Sequence, residues 1–318
     1  MKRATAGLAV LTAVITGAAV MAVFTVTKES REVVGVAVVT TSPTDTTAPP
    51  TVPATTPPTV APTETPAESA STPSSPDPKP EEVARLVQQA VQQKVSSAKV
   101  GMEVYDRRDG KVLTSLNSGQ SFASMSVVKL LIAIDVLARG HWALPDSATQ
   151  NQITRMLSTS DDDLASALWV DGGFGSIVTR DVKLMGLSAT KPPDDPGRWG
   201  DTQITAQDMV TVYRYLMDQV PSSARDLLYN ALYHASRTAA DGTDQFFGIP
   251  DGLPSTTWAI KQGWGSSGSS ACYNTTGLLG KDSRYVVIVL TSAPEAYYRS
   301  LDDALTAGTA QLASLVAA

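Results

Sequence analysis

From Thr40 to Pro80 the chain reads TTSPTDTTAPPTVPATTPPTVAPTETPAESASTPSSPDPKP. Thr, Pro, Ser and Ala dominate, and almost no side chain is large and apolar enough to bury. Such a segment cannot repay the entropy of ordering and favours extended polyproline backbone. It confines a globular fold to Glu81–Ala318, roughly 240 residues, enough for a substantial core. At about 3.1 Å per residue, the Thr/Pro-rich run reaches on the order of 100 Å. Residues 29–80 are therefore expected to be a disordered stalk and residues 81–318 a folded domain.

Ahead of the stalk, Lys2-Arg3 precede an uncharged, largely apolar run from Ala4 to Val26. That length spans a bilayer, and the basic start favours retention of the N-terminus inside and export of the rest. Residues 1–28 are thus expected to be a membrane anchor or a signal segment. Val20-Met21-Ala22 is a passable cleavage site, and cleavage would leave a secreted protein. No Cys lies near this run to accept a lipid; the chain's one cysteine, Cys272, cannot form an intrachain disulfide and reads as a small buried residue.

A formal net charge of −6, without basic clusters, argues against a nucleic-acid partner. Two histidines, His141 and His234, leave little room for a Ser–His pair. No metal-ligand spacing, phosphate-binding loop or dinucleotide fingerprint is present, so neither metal nor cofactor is expected.

Periodicity orders the folded part. Val83, Leu86, Val87, Ala90 and Val91 recur at helical spacing in Glu81–Ser96. Lys99–Tyr105 and Lys111–Leu116 read as strands joined by the turn signal Asp106–Gly110. Helical patterns fill Ser126 to about Phe247, broken by loops at Gly172–Gly175 and Lys191–Gly200. Thr256–Gly263, Ser270–Leu279 and Arg284–Thr291 read as strands, and Pro294–Ala317 as a closing helix. The simplest assembly is α+β: both ends of the domain build one antiparallel sheet, and an all-helical lobe is inserted between them.

The chemistry centres on Ser121–Gly140. Leu130, Leu131, Ile134 and Leu137, with Val127, mark a helix stopping at Gly140. At its start, Ser126 and Lys129 stand at i and i+3 and share a face. A hydroxyl nucleophile then lies beside a potential base, at a helix end whose backbone N–H groups can meet an oxyanion. The motif alone is weak: Ser96-Ser97-Ala98-Lys99 also satisfies it in a polar junction.

Two further elements follow in order, Ser160-Asp161-Asp162 in the helical lobe and Lys261-Gln262-Gly263 at a strand end. Together with Ser126-x-x-Lys129 they resemble the S-x-x-K, S-D-N and K-T-G signatures of class A β-lactamases and penicillin-binding DD-peptidases. The YDRRDGKVL hairpin, the FASMSVVKLLIA block and Gly200–Ala206 also resemble that superfamily, so the likeness covers all of Glu81–Ala318. It implies a five-stranded antiparallel sheet with flanking helices plus the inserted lobe. It implies Ser126 as nucleophile, Lys129 as base or relay, Ser160 as proton carrier to the leaving nitrogen, and Lys261 as a second cation that also attracts a substrate carboxylate. The backbone N–H groups of Ser126 and Trp264 would form the oxyanion hole. Asp162, Gln262, Gly263 and Arg237 would contact substrate.

Three departures from the family pattern matter. No Glu occurs between Glu103 and Glu295, so the class A deacylating Glu is missing; Asp194 and Asp195 lie in a similarly placed loop and read as an acidic turn. Asp162 replaces an Asn, and an ionised carboxylate only accepts hydrogen bonds and favours a charged Lys129. Gln262 replaces Thr, with bulky Trp264 beyond it; Trp142, Trp199 and Trp264 all read as packing, with Trp264 also able to wall the groove. The expected activity is an extracytoplasmic serine hydrolase of peptidoglycan stem peptides or a related amide, poor against β-lactams. A non-catalytic cell-wall-binding or sensory module and a class A-like β-lactamase are the alternatives. The expected place is a bacterial cell membrane, single-pass with the domain outside, or the exterior if the signal is cleaved.

Overall fold

A computed structural model describes residues 79–316. The expected anchor or signal (1–28) and nearly all of the stalk (29–80) lie outside the described residues.

Helix α1 (Pro80–Lys94) begins with Pro at its first position, where a missing N–H costs nothing, and with Glu81 and Glu82 in its first turn. Strands β1 (Lys99–Asp106) and β2 (Lys111–Leu116) form the expected hairpin. Its turn is tied by Asp106, whose Oδ1 accepts the N–H groups of Arg108 and Asp109. The short strand β3 (Phe122–Ala123) leads through a 3₁₀ turn, Met125–Val127, into α2 (Val128–Arg139). Helices α3 (Ser147–Ser158), α4 (Asp162–Asp171) and α5 (Ser176–Met185) follow. Strand β4 (Gln203–Ile204) pairs with β3 and precedes α6 (Ala206–Asp218), α7 (Ser222–Tyr233) and the single turn α8 (Ile249–Gly252). Strands β5 (Trp258–Ser267), β6 (Ser270–Leu279) and β7 (Tyr285–Pro294) precede α9 (Tyr298–Ala310) and the short α10 (Ala313–Val316).

The large sheet has the order β2-β1-β7-β6-β5, antiparallel throughout. Both ends of the domain build it, as the element order requires. Strand β7 explains its uninterrupted apolar run by facing two cores. Val286, Ile288 and Leu290 point into the core under α2 and α6, while Val287 and Val289 pack with Val83, Val87, Leu301 and Leu305 of α1 and α9. A strand covered on both faces needs no polar alternation.

Several boundaries differ from the sequence expectation. Strand β5 runs four residues past Gly263, because β6 pairs with it as far as Ser267. Helix α9 starts only at Tyr298, because β7 continues to Pro294. Helix α2 also differs in kind: residues on all its sides are buried, Lys129 and Asp135 included, since it is the axis of the helical lobe rather than a one-faced surface helix.

Candidate active site

Ser126 lies in the 3₁₀ turn ahead of α2 and is 5% exposed. Several segments hold that turn. Asn274 of β6 donates its side-chain amide to the carbonyls of Ala123 and Ser124, and the Ser124 N–H donates to the Thr202 carbonyl. On β5, Gly263 is required by space: a Cβ there would stand 2.5 Å from the Ser124 carbonyl oxygen. Only glycine lets this edge strand approach the nucleophile turn so closely. Met125, just before Ser126, has φ +49°, and Ser160 has φ +56°. Non-glycine residues are uncommon in that left-handed region and concentrate at functional sites.

The structure brings four of the expected residues together. Lys129 Nζ, wholly buried, donates to Ser126 Oγ at 2.7 Å, to the Ser160 carbonyl at 2.8 Å and to Ser160 Oγ at 3.2 Å, and pairs with the Asp162 carboxylate. Lys261 Nζ donates to Ser160 Oγ at 2.9 Å and to the Gln262 carbonyl at 3.0 Å. Ser160 Oγ is thus shared by two lysines. Its position follows from the α3–α4 junction, where Asp161 caps α4 by accepting the Leu164 N–H and is itself paired with Arg155. Lys261 is fixed from behind: Thr276 donates to its carbonyl at 2.6 Å, and Tyr213 of α6 holds Thr276 at 2.9 Å.

Burial pushes the Lys129 amine down from its ordinary range, against the pull of Asp162, Asp241 and Asp161. Burial, and then the charge of Lys129, pushes Lys261 down much further. Two ammonium groups sharing one dry cluster are costly. The Asp162 carboxylate favours the charged form of Lys129, and the charge of Lys129 disfavours that of Lys261. The expectation that Asp162 favours a charged Lys129 is met in direction, but desolvation outweighs it.

These groups open onto a cavity of about 430 Å³ whose walls include Ser126, Asp162, Trp199, Asp241 and Trp264. A cavity of about 520 Å³ at the opposite end of the sheet, lined by Arg107, Lys281 and Arg284, contains no nucleophile; the site is assigned by chemistry rather than size. Trp264 is half-buried. Its ring meets Phe247 edge-on at 6.0 Å and its indole N–H donates to Asp241, so it walls the groove.

Two expected substrate contacts are corrected. Gln262 does not offer its amide to the groove. Strand alternation turns it away from the Lys261 side, and its Nε2 donates to the carbonyls of Gln245 and Phe247. Arg237 is occupied: its guanidinium pairs with Asp244 and Asp251 and covers the Phe246 ring. Asp195 folds onto its own loop, accepting the Gly197 N–H, and neither it nor Asp194 lines the cavity. Cys272 is buried beside Ala123 and Met125, its thiol pushed up to about 12 by burial.

Trp199 and Asp241 are the site residues that sequence reasoning missed. The Trp199 ring lies 4.7 Å from Lys129 Nζ, a cation–π contact rather than plain packing. It comes from the loop Lys191–Gly200, and Asp241 from a loop after α7; neither position carries a local signal. Among the described residues no cluster of side chains could hold a metal ion, and no helix is long and apolar enough to cross a membrane.

No family model matches the sequence. Proteins of Mycobacterium bovis and Mycobacterium tuberculosis named "Putative lipoprotein LppW" are 35% identical over 204 residues, 62% of this chain. The chain spans 64% of the length of those relatives. Among solved structures, a β-lactamase from Desulfarculus baarsii matches 74% of this chain and 97% of its own, at TM-score 0.56 and 18% identity. PBP-A matches 76% of this chain and 98% of its own, at TM-score 0.59 and 16% identity. The chain has the fold of the serine β-lactamases and penicillin-binding proteins. Within this β-lactamase-type fold the three short motifs converge as the resemblance implied, Ser126 and Lys129 by helical adjacency and Ser160 and Lys261 by tertiary approach. At such low identity the likeness speaks for the fold, and the chemistry rests on the side chains themselves.

Proposed function

We propose that this protein is an extracytoplasmic serine hydrolase acting on peptidoglycan stem peptides or a related amide through an acyl-enzyme on Ser126. The observation that carries the reading is the buried Lys129 amine, 2.7 Å from Ser126 Oγ and joined through Ser160 to Lys261. When Lys129 is neutral it takes the hydroxyl proton as Oγ attacks the carbonyl carbon. The oxyanion would be met by the backbone N–H groups of Ser126 and Trp264. Ser160, between the two lysines, passes a proton to the leaving nitrogen, the C–N bond breaks, and an ester remains on Ser126. Water then attacks that ester and restores the hydroxyl.

The second half-reaction has weaker support in the site. Glu is absent from the relevant loop, its acidic residues Asp194 and Asp195 do not line the cavity, and the Trp199 ring stands over Lys129. A slowly hydrolysed acyl-enzyme, and hence poor β-lactamase activity, follows. A mutant of PBP-A, which shares the fold, has been solved as an acyl-enzyme with penicillin G. For the location, the mycobacterial relatives are named as lipoproteins. This chain's one cysteine is buried in the domain, so attachment would use the apolar run Ala4–Val26 instead.

A second reading, a cell-wall-binding or sensory module without turnover, is favoured by one observation: the Lys129 amine is tied to Asp162 in the resting site. Intact-protein mass after incubating the full chain with a fluorescent penicillin, beside Ser126→Ala, tests the choice. A long-lived adduct that needs Ser126 supports the acylating enzyme. No adduct with penicillin or with a stem-peptide thioester supports the binding module.

A further inference from the structure

The helical lobe buries a carboxyl group that the site around Ser126 does not use. Asp181 lies in the middle of α5, is 1% exposed, and has no hydrogen-bond partner at either oxygen. It neither caps a helix nor joins an ion pair among the described residues. A buried polar group without partners is costly, and native structures keep few of them. Asp181 lines a cavity of about 490 Å³ between α2 and α5, together with Asp135, Arg139, Arg180 and Lys183. Ala138 and Leu184 supply an apolar wall.

The charges around this cavity are unequal. Asp135 of α2, also 1% exposed, accepts two bonds from Arg180, at 2.7 and 2.9 Å, and one from Arg139 at 2.9 Å. Arg139 also reaches Asp171, and Arg180 the Gly172 carbonyl. Lys183 is exposed and forms no ion pair among the described residues. Three cations thus line the cavity beside one carboxylate, Asp135, that is already satisfied. Burial, and then the charge of Asp135, favours the neutral form of Asp181 against the pull of Arg180, and Tyr215 of α6 feels the same group. A protonated carboxyl donates its O–H and accepts at its other oxygen. The groups left without partners are therefore a buried O–H donor and an exposed ammonium. Both suit an anion, whereas an incoming ammonium or guanidinium meets three like charges.

We infer that this cavity between α2 and α5 is a binding site for a small organic carboxylate, held by Asp181 and Lys183, with its short hydrocarbon part against Ala138 and Leu184. The ligand's carboxylate accepts the Asp181 O–H, so one proton serves two carboxyl groups and binding requires Asp181 in its protonated form. Asn at this position offers an N–H donor without that requirement. The site stands apart from the hydrolase reading, since no residue lining it lines the cavity at Ser126.

The test titrates propionate and propylammonium, probes of like size and opposite charge, into the full chain at fixed ionic strength, with binding followed by NMR. Propionate is expected to bind and propylammonium to show no binding. Asp181→Ala is expected to weaken propionate about tenfold, the size of one hydrogen bond to a charged group. Lys183→Ala is expected to weaken it about threefold, as for an exposed charge. Asp181→Asn is expected to keep the parent's affinity at pH 5.5. As the pH is raised to 9, the parent is expected to lose affinity relative to Asp181→Asn, because only the parent's donor ionises. The Asn variant thereby separates a role in binding from a general effect on folding. The assignment is overturned if propionate does not bind, if propylammonium binds as well, if Asp181→Ala binds propionate as the parent does, or if parent and Asp181→Asn respond alike to pH. Ser126→Ala is expected to leave propionate binding unchanged, so a failure to acylate Ser126 refutes the hydrolase and leaves this site standing.

Discussion

Asp162→Asn is the most informative single change, because it removes the one carboxylate bonded to the buried base. Lys129 is completely buried, whereas the Asp162 side chain is 62% exposed. Two unit charges about 4 Å apart interact by about 4 kcal/mol at an effective dielectric of 20. Solvent around the exposed partner screens this to roughly 1–1.5 kcal/mol. Asp162 favours the protonated amine, so its removal lowers the Lys129 pKa further and increases the neutral fraction that accepts the Ser126 proton. Below that pKa, acylation should rise about tenfold at fixed pH, since about 1.4 kcal/mol is a factor of ten. The rate rises with pH as Lys129 loses its proton, and the variant's limb should lie at lower pH, with the two profiles converging on the alkaline side. Asn can also donate to a substrate carbonyl, which acts in the same direction. Stopped-flow acylation with a fluorescent penicillin from pH 5 to 10 measures this. An unshifted profile, or slower acylation at every pH, would refute the assignment of Lys129 as the base.

Other substitutions test separate parts of the site and fold. Lys129→Ala should leave a folded protein whose Ser126 acylates about 10²–10⁴-fold more slowly, read as the rate of adduct formation. Gly263→Ala places a methyl 2.5 Å from the Ser124 carbonyl and should cost about 1–3 kcal/mol and most of the acylation; unchanged denaturant midpoints and rates would contradict the close approach. Trp199→Ala removes the ring over Lys129 and should shorten the adduct's lifetime, followed by intact mass after excess penicillin is removed. Asp181 is buried with neither carboxylate oxygen bonded, and burial, then Asp135, holds its pKa well above the usual range. A raised folded pKa means stability present below pH 4 and lost as pH rises through that pKa. Asp181→Asn should therefore gain on the parent with rising pH, by about 1–3 kcal/mol, the cost of a buried polar group without partners. Thermal melts at pH 5 and pH 8 read this difference.

The elements and the nucleophile pair were legible because they depend on neighbours in sequence. Hydrophobic spacing located α1, α2 and all five strands of the main sheet, and Gly110 and Asp106 marked the first hairpin. Ser126 and Lys129 meet because three residues make one helical turn. Gln262 was misread in spite of a usable local rule: on a strand it must face opposite Lys261, and the likeness to K-T-G had suggested otherwise. Arg237 was misread for a different reason, since Asp251, one of the two carboxylates that hold it, lies fourteen residues away and no spacing rule joins them.

By itself, then, the sequence determined the order of the helical and strand segments and the adjacency of Ser126 to Lys129. Only the tertiary structure decided that Ser160 bridges two lysines, that Trp199 covers one of them and that Asp241 lines the groove. Periodicity, capping and turn chemistry act over a few residues and are written in the local order of side chains. Desolvation and charge sum over every atom brought near. For Lys129 and Lys261 those atoms come from α2, the α3–α4 junction, two loops and β5, and only folding places them together.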